Sequence, residues 1–126
     1  MNREIVATKK APSAIGPYSQ AVKTRDMVFV SGQLAIDPIS DVLVSGDIRK
    51  ETQQALTNLK QILLAAGSSL DRVVKITLFI SDMDDFNSIN EVYAEFFNQD
   101  PPARACVQVA RLPKDANVEV EAVALL

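Results

Sequence analysis

The residues best suited to chemistry lie in the strand-like stretch PPARACVQVARLPKDANVEVEAVALL, from Pro101 to Leu126. Arg104 and the only cysteine, Cys106, are two positions apart. Glu119 and Glu121 have the same spacing, and because side chains alternate between the faces of a strand, each pair shares a face. An arginine fork binds a carboxylate through two parallel hydrogen bonds, and a carboxylate can position water or carry a proton. Three interpretations stay open: a structural ion pair between Arg104 and Glu119 or Glu121, a solvated charge at the edge of a sheet, or a site for a small anion.

The composition narrows the chemistry that such a site could perform. The 126 residues include no histidine, which removes the usual serine-protease triad and most transition-metal sites. Catalysis must then come from carboxylates, arginine, tyrosine, cysteine, hydroxyls, backbone amides or water. A nucleophilic Cys106 would need a base and a lowered pKa, so a packed and unreactive thiol is the better interpretation.

Charge and hydropathy indicate the class of protein. The chain carries 13 basic and 16 acidic residues, a net charge of -3, with no run of Lys or Arg longer than a pair. Nucleic-acid binding normally needs a basic stripe and is therefore disfavoured. No apolar run reaches about 18 residues, so no membrane span is expected, and the start MNREIVATKK lacks the apolar middle of a secretory signal. The single cysteine excludes an internal disulfide and fits a reducing cytoplasm, and the length suits one domain over residues 1–126.

The elements that must position these residues follow from periodicity. Val22 and Met27–Val30 are strand-like around a KTRD turn, and Ser31-Gly32-Gln33 ends the second strand. Asp47 is a candidate N-cap, and Gly67 a candidate stop, for an amphipathic helix between them. The apolar face of this helix consists of Ala55, Leu56, Leu59, Ile62, Leu63 and Ala66. Its polar face consists of Lys50, Gln53, Gln54, Asn58 and Gln61.

The second half of the chain alternates strand and helix. Val73–Ile80 is the strongest strand, and Asp82–Asp85 opens a second helix that Pro101-Pro102 stops. Two strands follow, Arg104–Arg111 and Val118–Leu125. The core side of the second helix consists of Phe86, Ile89, Tyr93, Phe96 and Phe97. The order ββ-α-β-α-β-β predicts an α+β layer with two helices on one face of a sheet.

The strand Val73–Ile80 predicts that the other sheet face is also covered. Its two faces are both apolar, with Val74, Ile76, Leu78 and Ile80 on one and Val73 and Phe79 on the other. Two helices can cover only one of them, so the chain lacks a cover for the second. Burial against copies of itself is the simplest solution, and we expect a homo-oligomer.

Three further positions could line a site, although each has an ordinary structural explanation. Tyr18 follows the stiff turn Gly16-Pro17, where a half-buried tyrosine is common. Ser31-Gly32 could expose a backbone N–H to a ligand, since glycine allows close approach. Asn90 lies among apolar neighbours on the second helix and could equally be a surface amide.

Five stretches together resemble the RidA family, also called YjgF/YER057c: APSAIGPYSQAV, VFVSGQLAIDP, NEVYAEFF, PARACVQVARLP and VEVEAVAL. The resemblance runs from Ala11 to Leu125, and PAR-x-C-V-x-V-x-x-L-P is its most specific part. It implies a chorismate-mutase-like α+β fold, with a mixed sheet and the last strand inserted between earlier ones. It also implies a homotrimer with a central barrel-like core and three clefts between subunits.

The resemblance also implies an activity. Family members hydrolyse reactive enamines and imines, such as 2-aminoacrylate and its imine tautomer, to 2-oxo acids and ammonia. The implied partner is a small 2-imino or 2-oxo acid, with no cofactor, no metal, no nucleic acid and no membrane. The alternatives are a non-enzymatic 2-oxo-acid binder, a translation inhibitor or ribonuclease, and, from the fold only, a chorismate mutase.

By the same resemblance, Arg104 grips the substrate carboxylate, and the motif match makes Glu119 the catalytic carboxylate that holds or activates water. The residues alone leave open whether Glu119 or Glu121 faces the cleft. The family amides that face the ligand correspond to those of Cys106 and of Ser31-Gly32. The implied substrate-binding positions are Tyr18, Ser31, Gly32, Asn90, Arg104 and Cys106.

Overall fold

The computed structural model describes residues 2–126 and contains two α-helices against one six-stranded sheet. Three short 3-10 helices, Leu70–Arg72, Met83–Asp85 and Pro113–Asp115, lie in the connections. Its strands and helices, in chain order, are β1 (Glu4–Val6), β2 (Ala21–Lys23), β3 (Met27–Leu34), α1 (Ile48–Ala65), β4 (Val73–Ile80), α2 (Phe86–Phe96), β5 (Ala103–Gln108) and β6 (Val118–Leu125). The strands lie in the order β1-β2-β3-β6-β4-β5. β4 and β5 pair in parallel and the other neighbours are antiparallel. The predicted α+β fold with a mixed sheet is confirmed.

β6 occupies the middle of the sheet, as the resemblance implies. It pairs with β3 on one side, where Leu34 lies opposite Glu119, and with β4 on the other, where Phe79 lies opposite Glu119. The β3–β6 register shifts between Val30 and Gln33, the signature of an irregular bulge. Beyond β4, the edge strand of the sheet is β5, which follows α2 in the chain and carries Arg104.

Helix α1 begins and ends at the predicted residues. The Asp47 carboxylate accepts hydrogen bonds from the N–H groups of Arg49 and Lys50, and Gly67 has a φ of 87°, which favours glycine. The predicted polar face is wrong at Asn58, which is fully buried. Its amide donates to the carbonyls of Leu34 and Ile36 at 3.0 and 2.9 Å and ties α1 to the end of β3.

The core lies between the two helices and one sheet face. Its largest fully buried apolar side chains are Leu56, Leu59, Ile62 and Leu63 of α1, Ile89 of α2, and Val28, Ile76, Leu78, Ile80, Val118 and Val120 of the sheet. These sheet residues mark the helix-covered face, so residues opposite them in the register share it. No helix within residues 2–126 is long and apolar enough to cross a bilayer.

Several predicted boundaries are wrong. β1 was not expected, and β3 runs through Ser31 to Leu34 because it resumes pairing with β6 after the bulge. β5 ends at Gln108, short of the predicted end at Arg111. Val73 is 7% exposed and Val74 is 38% exposed, the reverse of the predicted faces, because the β4–β6 register shifts between Val73 and Lys75.

The second sheet face carries exposed apolar residues. Phe29, Val107 and Leu125 are 46%, 42% and 45% exposed, although they lie within strands. Their in-register neighbours include Val123 opposite Phe29 and Phe79 opposite Val107. We call this surface, defined by these five residues, the open face. Exposed apolar residues gathered on one sheet face are typical of a protein–protein contact surface.

Candidate functional site

Arg104 lies on the helix-covered face of the edge strand β5. It is in register with the buried Ile76 of β4, so its side chain runs under α2. Its Nη1 donates to Oδ1 of Asn90 at 2.7 Å. Its Cζ lies 4.7 Å from the centre of the Tyr93 ring and 5.6 Å from the centre of the Phe86 ring. The guanidinium is therefore held by an amide and two aromatic rings rather than by a carboxylate.

Cys106 lies next to Arg104 on the same face, in register with the buried Leu78. Its thiol is free and half-buried. Burial raises the pKa of the Cys106 thiol, and the nearby Arg104 charge lowers it by a smaller amount. A thiol of raised pKa is a poor nucleophile near neutral pH. Arg104, Cys106 and Asn90 together form what we call the arginine half-site.

Glu119 lies on the other face of the sheet and is half-buried against Gly32. A Cβ on Gly32 would come within 2.8 Å of Cδ and 3.0 Å of Oε2 of Glu119. A side chain at position 32 would therefore displace the Glu119 carboxylate from its present position. Burial raises the pKa of the Glu119 carboxyl, and the neighbouring Glu121 charge raises it further. A carboxyl of raised pKa holds its proton to a higher pH than an ordinary glutamic acid does, which favours proton exchange.

Ser31 and Tyr18 lie beside this carboxyl and differ in exposure and hydrogen bonding. The Ser31 hydroxyl donates to the Ser19 carbonyl at 2.6 Å, and its N–H donates to the Gln20 carbonyl at 2.9 Å. Both donors of Ser31 are thus already hydrogen-bonded within the chain. Tyr18 is 51% exposed. Tyr18, Ser31, Gly32 and Glu119 together form what we call the glutamate half-site.

The glutamate half-site opens into a cavity of about 460 Å³. Apolar residues on its wall include Ile15, Leu34 and Ile36. Charged residues on its wall include Asp41 and Lys114, both of which have a positive φ, and Glu121. The residues of the arginine half-site do not line it. The cavity can admit a small organic molecule, with Glu119 as a functional group on its wall.

The two half-sites do not meet within one chain. Arg104 is on the helix-covered face and Glu119 on the opposite face, two strands and three register positions apart, which places their Cα atoms roughly 14 Å from one another. The predicted structural ion pair between Arg104 and Glu119 or Glu121 is therefore wrong. The ion pairs among the described residues are Lys23–Glu4, Arg49–Glu91 and Arg111–Asp115.

Tyr93 and Phe86 are residues whose contact with Arg104 the sequence analysis missed, because their apolar spacing indicated only core. The signal that could have found them is their position relative to Asn90. Phe86, Asn90 and Tyr93 are spaced four and three residues apart, so they share one face of α2. Across residues 2–126, no three His, Cys, Asp or Glu side chains cluster as metal ligands.

Comparison with known proteins agrees with the fold and the motifs. The family model described as Endoribonuclease L-PSP matches residues 8–126. A RutC family protein of Pyrococcus horikoshii is 51% identical over 122 residues, which cover 97% of each chain. The human 2-iminobutanoate/2-iminopropanoate deaminase is 50% identical over 123 residues, which cover 98% of this chain and 90% of the human one. The crystal structure of E. coli TdcF with bound serine has a TM-score of 0.94, 45% identity and 98% coverage of both chains.

The α+β fold, with β6 in the middle of the mixed sheet, and the five sequence motifs both agree with the RidA class of proteins. The chain belongs to the Endoribonuclease L-PSP family, which includes the YjgF/RidA proteins. The family resemblance stated from five sequence stretches is confirmed.

Proposed function

We propose that the protein is a hydrolytic deaminase of reactive enamines and imines of the 2-aminoacrylate type, giving 2-oxo acids and ammonia. The observation that carries this proposal is Arg104, a half-buried guanidinium with no carboxylate partner among residues 2–126. Its amide and aromatic contacts leave the charge without a counter-ion, and a ligand carboxylate fits the arginine fork. The 50% identity to the human 2-iminobutanoate/2-iminopropanoate deaminase supports the choice of substrate.

The proposed site combines the arginine half-site of one chain with the glutamate half-site of another. Each half-site is incomplete alone. Among residues 2–126, Arg104 has no carboxylate paired with it, and burial raises the pKa of its titratable neighbours Cys106 and Tyr93. Glu119 lines a cavity whose wall includes no arginine. Because Arg104 lies on the edge strand β5, a neighbouring copy can approach it. The open face supplies the apolar surface for such a contact. We infer a homotrimer with clefts between subunits, the arrangement that the family resemblance implies.

In this cleft, the Arg104 fork holds the substrate carboxylate and thereby fixes the adjacent C2 atom. Water adds to C2 of the imine, and the new C–O bond forms as the C=N pair moves onto nitrogen. Glu119 holds the water, takes a proton from it as the C–O bond forms and passes that proton to the nitrogen. It then carries the proton of the new hydroxyl to the same nitrogen, which departs as ammonia when the C=O bond forms. The raised pKa of Glu119 suits both steps, since the carboxyl can accept and then release a proton. Free imines hydrolyse unaided, so modest catalysis is enough.

The other expected residues have supporting roles in this scheme. Asn90 acts on Arg104 through the 2.7 Å hydrogen bond and needs no direct contact with substrate. Cys106 contributes its backbone N–H, because burial keeps its side chain as a thiol. Gly32 rather than Ser31 offers an amide on the glutamate side, since both donors of Ser31 are occupied. Tyr18 lies on the cavity wall.

The test is a coupled assay on freshly generated 2-aminoacrylate that measures 2-oxo acid and ammonia. Arg104→Ala should abolish detectable turnover, Glu119→Ala should lower kcat, and Cys106→Ala should keep most activity. A wild-type protein that binds a 2-oxo acid through Arg104 yet gives no turnover would instead be a small-carboxylate binder, and the proposal would be wrong. A folded Cys106→Ala variant without activity would refute the water-attack mechanism.

We do not favour cleavage of RNA, although the family model carries an endoribonuclease description. The chain has a net charge of -3 and no histidine, so it lacks the basic surface and the usual acid–base pair for that reaction. RNA binding that is absent, or that does not weaken with salt, would agree with this view. As part of the same proposal, the protein acts in the cytoplasm as one domain over residues 1–126, without a metal or cofactor.

A further inference from the structure

The contacts of Arg104 with helix α2 divide into two kinds. Asn90 accepts one hydrogen bond from Nη1, in the plane of the guanidinium. Tyr93 and Phe86 present their rings to Cζ at 4.7 and 5.6 Å. An aromatic face attracts a cation through its quadrupole and accepts no N–H group of the guanidinium edge. A carboxylate partner would instead occupy the fork that a ligand needs.

The helix periodicity shows how one element builds this arrangement. Phe86, Asn90 and Tyr93 stand at positions i, i+4 and i+7 of α2, one above another on the face toward β5. Tyr93 is buried, and it packs in turn on Phe97 with ring centres 4.7 Å apart. The rings are thus fixed by the core. Their electron-rich faces therefore keep a fixed position against the guanidinium of Arg104, whose own stem is long and flexible.

The Tyr93 hydroxyl allows the two possible roles of this residue to be separated. It is buried and has no hydrogen-bond partner among residues 2–126. Burial raises the pKa of the Tyr93 phenol, so the group is neutral at ordinary pH. A residue kept only for its hydroxyl would have a partner for it. The ring itself is the part of Tyr93 that contacts Arg104.

We infer that Tyr93, assisted by Phe86, is a positioning residue that orients the Arg104 guanidinium through its aromatic face and leaves the N–H fork free for the ligand carboxylate. This inference rests on the proposed function for the identity of that ligand. Tyr93 need not touch the substrate. It lowers the cost of binding, because the arginine is already aligned and partly desolvated before the carboxylate arrives.

The first experiment compares ring removal with ring retention. Tyr93→Leu should raise KM for the imine, and Kd for 2-oxobutanoate, about 10-fold, with kcat changed far less, because a grip present in both ground and transition states affects binding uniformly. Tyr93→Phe should restore wild-type KM, since it keeps the ring and removes a hydroxyl without a partner. Phe86→Leu should give a smaller rise than Tyr93→Leu, because its ring lies farther from Cζ.

The matched control is Phe97→Leu. It removes a buried ring from the same stack, and among the described residues its ring is not one of the two over Arg104. It should lower the melting temperature as Tyr93→Leu does while leaving KM unchanged. If Phe97→Leu raises KM as much, or if folded Tyr93→Leu and Phe86→Leu both keep wild-type KM and Kd, the inference is overturned.

A measurement without ligand separates this inference from the proposed function. In wild type and Tyr93→Phe, the Nε–H signal of Arg104 should show a ring-current shift by NMR, and in Tyr93→Leu this shift should be lost. A wild-type protein with this shift but no deaminase activity would refute the proposed function alone. An unshifted signal in an active wild-type enzyme would refute the positioning role alone. If Tyr93→Leu does not fold, the same NMR shift is compared between wild type and Phe86→Leu.

Discussion

The separation of the two half-sites predicts that two inactive variants restore activity to one another. Arg104→Ala removes the carboxylate grip, and losing charge-assisted hydrogen bonds in a partly dry cleft costs about 2–4 kcal/mol, or about 30- to 1000-fold in kcat/KM. Glu119→Ala removes a proton relay, which costs about 10²–10⁴-fold. Each homogeneous variant should therefore be nearly inactive in the 2-aminoacrylate assay.

The magnitude of the rescue follows from the geometry. Arg104 and Glu119 lie on opposite sheet faces, so in the proposed trimer a complete site takes one residue from each of two neighbouring chains. In any trimer that contains both variants, one neighbouring pair joins an intact Arg104 to an intact Glu119, which restores about one third of wild-type turnover. A random mixture, which also contains homogeneous trimers, should recover about one quarter.

The assay uses co-expressed chains with two different affinity tags. Tandem purification selects mixed oligomers, native mass spectrometry counts their subunits, and the imine assay gives turnover per trimer. A preparation of doubly tagged Arg104→Ala alone controls for the handling. If verified mixed trimers are no more active than their parents, Arg104 and Glu119 do not act across an interface, and the proposed cleft is refuted.

Three further perturbations follow from the same contacts. Gly32→Ala should lower kcat/KM at least about 10-fold with little change in melting temperature, because the new Cβ displaces the flexible Glu119 carboxylate. Val107→Asp should dissociate the oligomer in light scattering, because it places a charge on the open face. Glu51→Gln should raise the melting temperature more at pH 8 than at pH 4, because burial raises the pKa of the Glu51 carboxyl.

The sign of the Glu51 effect follows from linkage. Glu51 is 1% exposed and binds the Asn117 amide. With its pKa raised in the folded state, the native protein binds more protons than the unfolded chain above pH 4.5, so stability falls as pH rises to the folded pKa. Glutamine does not titrate, so Glu51→Gln removes that loss of stability. If the difference in melting temperature between Glu51→Gln and wild type does not vary with pH, this explanation is wrong.

The other two perturbations have matched controls. Gly16→Ala places a Cβ 3.5 Å from its nearest neighbour, an ordinary contact, and should leave activity intact. Equal losses at Gly16 and Gly32 would contradict the steric explanation. Ile39→Asp alters an apolar side chain that is 95% exposed and outside the strands, so it should leave the oligomer whole. A Val107→Asp variant of unchanged mass would show that the open face is not the contact surface.

The local features of the fold were predictable because they depend on neighbours in sequence. The N-cap Asp47, the stop at Gly67 and the strand Val73–Ile80 each follow from residue type and period. The two faces of that strand were assigned wrongly at Val73 and Val74, because a register shift reverses the alternation and is set by the partner strand. β1 was missed because a three-residue strand is too short for a periodic signal.

The candidate site shows the same limit more sharply. Period two placed Arg104 with Cys106 on one face, and Glu119 with Glu121 on one face. It could not relate the first face to the second, since that relation depends on strand order and register over long sequence separations. The family motif supplied both residues, and the sheet topology then excluded the ion pair that the sequence left open.

The central position of β6 has a consequence for biosynthesis. β6 is the last of the six strands in chain order, yet it joins β3 to β4. A nascent chain that has reached β5 holds two separate ribbons, β1-β2-β3 and β4-β5, and β3 and β4 each show an unpaired edge. Such edges invite pairing with other chains until β6 closes the gap. A ribosome that stalls before Val118 should therefore release an aggregation-prone product, and chaperone demand should peak late in synthesis.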